Sequence, residues 1–153
     1  MSGATPVEPT GTTGPAATFT LEQFPEKLAV VRLGPGAEVP SWVESSSLFS
    51  VTATARETSL VCATRSVPRK TQQQGPFTAF AVQGPLDFAL TGVLVALLTP
   101  LAEEGISVFT ISTYDTDWVL VPVGDADRAA EAWRRRGHQV APAVPVKPSR
   151  SSS

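Results

Sequence analysis

The residues of this 153-residue chain that could do chemistry are few and scattered. There is one cysteine, Cys62, and one histidine, His138. Together they cannot supply the four ligands of an ordinary zinc site, and a lone cysteine excludes an intrachain disulfide. Cys62 lies in the apolar run SLVCAT with no histidine nearby, so it reads as a core thiol rather than a nucleophile. His138 follows a helix stop and reads as a surface residue. Gly34-Pro35-Gly36 lacks the third glycine and the following helix of a dinucleotide fingerprint. Asp115 and Asp117 flank Thr116 without the glycine and terminal glutamate of an EF-hand, so a calcium loop is excluded. By residue type alone they read as a solvated turn. Asp87 precedes an apolar run, where a carboxylate can cap a helix and the first N–H groups make a general anion site. No nucleophile can be paired with a base, so the chain does not read as an enzyme, and no cofactor or metal is expected.

Composition narrows the classes further. Hydrophobic residues make up 42%, enough to build a packed core. The net charge of −2 and the lack of a basic run remove the electrostatic footprint of a nucleic-acid binder. The longest apolar stretch, Phe88 to Leu98, is about half the ~20 residues that span a bilayer, so no membrane partner is expected. Met1 to Thr18 has neither a positive n-region nor an apolar run, so no signal peptide is read and the expected compartment is the cytoplasm.

The elements that must position these residues follow from periodicity. Residues 1–18 and 144–153 are rich in Pro, Gly, Ser and Thr without hydrophobic period, and are expected to be disordered tails. Leu28 to Leu33 reads as a buried strand, and Pro40 to Glu44 as the start of a short helix. Leu48 to Thr54 and Ser59 to Thr64 alternate about a polar turn and read as a hairpin. An extra strand around Phe19 to Phe24 is also compatible. Arg65 to Pro76, polar and broken by proline, reads as a linker. Thr78 to Gln83 is a strand. The next helix is expected to start at Asp87, with Leu90, Leu94, Leu97, Leu98 and Leu101 on one face. Pro100 should kink or shorten it, and Gly105 should close it. Ile106 to Ser112 and Trp118 to Val121 are strands. Asp125 caps a second helix that buries Ala126, Ala129, Ala130 and Trp133 and stops at Gly137. A last strand covers His138 to Ala141. Residues 76–143 thus carry the order β-α-β-β-α-β, the ferredoxin-like pattern of an α+β sandwich with two helices on one sheet face. Residues 19–75 read as a shortened version of the same unit.

GPLDFALTGVLVALLTPLAEEGISVFTISTYDTDWVLV, Gly84 to Val121, resembles the ACT-domain family. More narrowly, it is similar to the branch of stand-alone bacterial ACT proteins related to the mammalian cytosolic arginine sensor. SLFSVTATARETSLVCATRSVP, Ser47 to Pro68, fits the N-terminal half of that branch. The resemblance implies a regulatory module that binds a free amino acid between two ACT repeats. It implies ligand contacts from Ser50 and Val51 on one repeat. From the other it implies Asp87, Leu90, Thr91 and Gly92, together with Thr113, Tyr114 and Asp117. The residue types suit a zwitterion. Ser50 and the Val51 N–H can donate to a carboxylate, Gly92 permits close approach, and Asp117 or Asp115 can accept from an ammonium. The partners implied are the amino acid, a second copy in a homodimer, and a regulated protein in trans. Two other readings compete. One is an oligomerisation module without ligand, suited by the apolar Phe88 to Leu98 segment. The other is an RNA-recognition motif, disfavoured because SVFTIS carries one aromatic, Phe109, and no basic-glycine-aromatic signature.

Overall fold

The computed structural model describes residues 17–87 and 90–142. The expected tails lie outside that range except for Ala17 and Thr18, as do Phe88 and Ala89. The strands are β1 (Thr20–Gln23), β2 (Leu28–Leu33), β3 (Ser50–Ala53), β4 (Thr58–Ala63), β5 (Gln73–Val82), β6 (Phe109–Ser112), β7 (Asp117–Pro122) and β8 (Gln139–Ala141). The helices are α1 (Val93–Glu103) and α2 (Ala126–Arg135). Short 3₁₀ turns lie at Ser41–Ser45, Thr64–Ser66 and Val123–Asp125. The second half therefore runs β5-α1-β6-β7-α2-β8, the ferredoxin-like α+β order.

β5 is the axis of the sheet. Its second half pairs antiparallel with β1 on one side and with β7 on the other. Its first half pairs with β2, which continues to β4 and β3. The expected linker ends inside this strand: Gln73 and Gln74 pair with Val31 and Val30, and the register slips between Leu28 and Val30. Ladder bonds use backbone, so polar glutamines can occupy a strand whose side-chain pattern does not announce it. The slip accommodates Gly75 and Pro76, as a bulge does.

β1 and β8 pair in parallel, so β1 stands between β5 and β8. A plain ferredoxin-like sheet would join β5 to β8 directly. Here Leu21 of β1 is fully buried against Phe80 and Trp133, which ties the N-terminal strand into the second half's core.

Alternation sorts the side chains of β5 and β7 by face. Phe80, Val82, Val119 and Val121 face the helices, where Leu97, Leu101, Ala129 and Trp133 complete the largest core cluster. Ala79 and Leu120 face the other way and meet Leu28 and Val61 of the first half. A third, smaller cluster joins Ala29, Val31, Leu60 and Cys62 to Val43 of the first 3₁₀ turn. Trp133 is sealed by its indole N–H donating to the Leu97 carbonyl at 2.8 Å.

α1 starts at Val93, not near Asp87. Gly92, at φ +82°, precedes it as N-cap, a conformation that suits glycine. Leu90 is therefore outside the helix and half exposed. Pro100 does not end α1, which continues to Glu103. Both helices close as expected at glycine. Gly105 and Ile106 donate to the Ala102 and Leu101 carbonyls at 3.0 Å each, and Gly137 and His138 to those of Arg134 and Trp133 at 3.0 and 3.1 Å. This is the paired-bond helix stop that satisfies the last carbonyls. Asp125 occupies the N-cap of α2, but its carboxylate accepts from Arg128 at 2.9 Å rather than from the helix amides.

His138 corrects the surface reading. It is 6% exposed, stacks on Phe19, and its Nδ1 accepts the Phe19 N–H at 3.0 Å. Burial, helped by the nearby Arg136 charge, lowers its pKa below the ordinary 6.5. Cys62 is a core thiol, and burial raises its pKa to about 11.

Candidate functional site

The loop between β5 and α1 meets the β6–β7 hairpin. Thr113 donates its N–H to the Thr116 carbonyl at 2.8 Å, leaving Tyr114 and Asp115 as the turn. The Thr113 hydroxyl donates to the same carbonyl at 3.0 Å and accepts the Thr116 N–H at 3.2 Å. The hairpin is then fastened to the loop. Leu86 N–H donates to the Asp115 carbonyl at 2.8 Å, and Thr116 Oγ1 donates to the Val82 carbonyl at 2.5 Å. Gly84 permits this approach, because a Cβ there would stand 2.9 Å from Leu86 N and 3.2 Å from the Asp115 carbonyl oxygen.

Between loop and hairpin lies a crevice of about 230 Å³. Of the residues expected at a site, Asp87, Leu90, Thr113, Tyr114 and Asp117 line it together. Val93, at the first turn of α1, also lines it. The N–H groups of that turn precede the first intrahelical bond, from Ala96 to Gly92, and lend the helix end a partial positive charge. With Asp115, three carboxylates among the described residues border this crevice and no described basic residue does. Among the described residues no group of three His, Cys, Asp or Glu could hold a metal ion.

Asp117 sits across the strand pair from Ser112, whose hydroxyl donates to Asp117 Oδ1 at 2.7 Å. That bond fixes one carboxylate oxygen. Ser112 was not expected at the site, although the short TYDTD turn contains the signal. A turn at Tyr114-Asp115 forces residues 112 and 117 opposite each other.

Ser50 lies elsewhere, in a second crevice of about 230 Å³ between the β3–β4 face and β6. Ser112 lines both crevices. Val51 is 38% exposed and lines neither of them. The Thr54 N–H to Glu57 carbonyl bond sets the β3–β4 register so that the Val51 N–H and C=O face the open edge of β3. Thr91 and Gly92 are exposed at the start of α1 and line neither crevice.

No helix among the described residues is long and apolar enough to cross a membrane.

Comparison with known proteins agrees with this architecture. The family model of the ACT domain matches residues 74–135, and a second model, of an N-terminal domain, matches residues 26–70. No curated protein sequence matches the chain. Among solved structures, an Agobacterium tumefaciens protein shares 28% identity at a TM-score of 0.79, covering 86% of this chain and 98% of that one. A Vibrio cholerae protein described as of unknown function and possible transport protein shares 19% identity at a TM-score of 0.65, with 78% and 90% covered. The regulatory subunit of aspartate kinase from Thermus flavus has the same fold at 9% identity and a TM-score of 0.56, with 80% and 99% covered. With β5, α1, β6, β7 and α2 in ACT order and the family model matched over that segment, residues 74–135 of the chain form an ACT domain.

Proposed function

We propose that this protein is a regulatory, non-catalytic sensor of a free amino acid, acting in the cytoplasm on a partner protein in trans. The observation that carries the reading is the acidic crevice, where carboxylates from separate segments flank the first turn of α1. The ligand's ammonium faces Asp117, with Asp87 beside it. Its carboxylate meets the N–H groups of the Val93 turn, a general anion site. Ser50 and the Val51 edge extend the site from the first half, and residues 26–70 and 74–135 act as its two repeats. The regulatory subunit of aspartate kinase shares the fold, which supports a regulatory role.

The test is a thermal-shift and calorimetry panel of the twenty amino acids on the intact chain. A true ligand raises stability in proportion to the logarithm of its concentration. An unmoved melting curve with all twenty at millimolar concentration sinks the reading. A second reading, an oligomerisation module, is favoured by Val95 of α1 standing 69% exposed. In that case light scattering finds a stable dimer that amino acids and Asp117→Ala leave unchanged.

A further inference from the structure

The second crevice differs in chemistry from the first. Ser50, Thr52 and Ser59 place three hydroxyls along it, over an apolar floor that includes Val61, Thr110 and Ser112 line its β6 side, and among the described residues no ionisable one lines it. The β6–β7 register adds backbone groups. Because Thr113 pairs with Thr116, the N–H and C=O of Ile111 turn toward β7 and those of Thr110 and Ser112 turn to the open edge. Arg32 and Glu57 border an adjoining groove that shares Ser59, but they face each other at 3.9 Å. A volume of about 230 Å³ is several times the ~30 Å³ share of one water, ample for a side chain.

We infer that this crevice is the ligand's side-chain compartment and that it selects an uncharged, hydrogen-bonding side chain, a hydroxyl or carboxamide. The inference rests on the amino-acid reading above. With the zwitterion held at Asp117 and the α1 turn, the side chain passes Ser112, the residue common to both crevices. Beyond Ser112 a charged side chain finds no counter-charge, and removing it from water unpaired is costly. An apolar side chain covers hydroxyls without giving them partners, the situation in which a hydrogen-bonding site rejects the analogue that lacks the group. A hydroxyl or carboxamide satisfies both conditions. Thr52 and Ser59 are then specificity-determining residues.

The experiment is calorimetry on the full chain with all twenty amino acids, repeated on Thr52→Val, Ser59→Ala and Thr52→Ser. The expected result is tightest binding by serine, threonine, asparagine or glutamine. Thr52→Val and Ser59→Ala each weaken that ligand about fivefold to twentyfold, as loss of one hydrogen bond does, and leave the ligand-free melting temperature unchanged. Thr52→Ser, which keeps the hydroxyl, retains most of the affinity. A charged or apolar amino acid binding best, with Thr52→Val and Ser59→Ala silent, overturns this inference and leaves amino-acid sensing standing. Absence of binding by every amino acid overturns both.

Discussion

The two halves of the molecule solve the same packing problem with different resources. The second half lays α1 and α2 over its sheet and builds a large core around Phe80, Leu97, Leu101 and Trp133. Among its described residues the first half covers β2 and β4 with the Ser41–Ser45 turn and Val67, and its own cluster is correspondingly small, centred on Val43, Leu60 and Cys62. It gains the rest of its burial by facing the second half's sheet through Leu28 and Val61. The halves differ chemically in the same way. The second supplies carboxylates and a helix end, and the first supplies hydroxyls on a strand face.

The comparison breaks most sharply at Trp133. Trp133→Ala should cost about 3–5 kcal/mol, because it empties the centre of the larger core and removes the bond to the Leu97 carbonyl. Urea denaturation should show the midpoint falling by that equivalent. A loss below about 1 kcal/mol would mean that the helices contribute little to the core they cover.

Asp117→Ala comes next. It should weaken ligand binding tenfold to a hundredfold, the worth of about 1.5–3 kcal/mol for a charge-assisted bond. Stability should hardly change, since the Ser112–Asp117 contact it removes is at the surface. Unaltered calorimetric affinity in this variant would remove Asp117 from the site.

In the smaller core, Val43→Ala should cost about 2 kcal/mol, from two buried methylene equivalents at ~0.8 kcal/mol each plus a cavity contribution. A cost equal to that of Trp133→Ala would erase the contrast between the halves.

The smallest effect should come from pH at His138. Its folded pKa is lowered, so between 6.5 and that lower value the unfolded chain binds the proton and the native chain does not. The native state is therefore at full strength above pH 6.5 and loses stability as the pH falls through the window. Protonation at Nδ1 would oppose the Phe19 N–H that this nitrogen accepts. Thermal melts between pH 7.5 and 5 should show a steeper decline for the native protein than for His138→Gln. Parallel curves would mean that the Phe19–His138 clamp does not hold β1 against β8.

The surface ion pairs that link the helix ends, Arg135 to Glu104 and Arg136 to Glu103, are exposed and should matter little beside these effects.

Much of the fold was legible because it is local. LAVVRL forms a strand over Leu28–Leu33 as its buried run requires, and glycines at 105 and 137 end both helices. The loop carrying Asp87 and the TYDTD turn were also recognisable by residue type, and five of the expected site residues line one crevice. What misled was context. Gly92 sits within an apolar run that reads as one continuous helix, yet its left-handed backbone delays α1 to Val93. Gln73 and Gln74 look like linker, yet their backbones complete a ladder with β2. His138 follows a helix stop, where exposure is usual, yet the arriving N-terminal strand covers it.

Sequence alone determined the strand and helix periods, the helix stops and the ACT character of the second half. These depend on neighbours a few positions apart, within reach of local sterics and alternation. Only tertiary structure decided that β1 wedges between β5 and β8, that β5 serves both halves, and that Ser112 joins an acidic crevice to a hydroxyl-lined one. Those features come from pairings between segments far apart in the chain, such as Leu21 with Val82 and Thr20 with Gln139. Edge choice among strands is set by which buried faces can be satisfied together, and no local pattern encodes it.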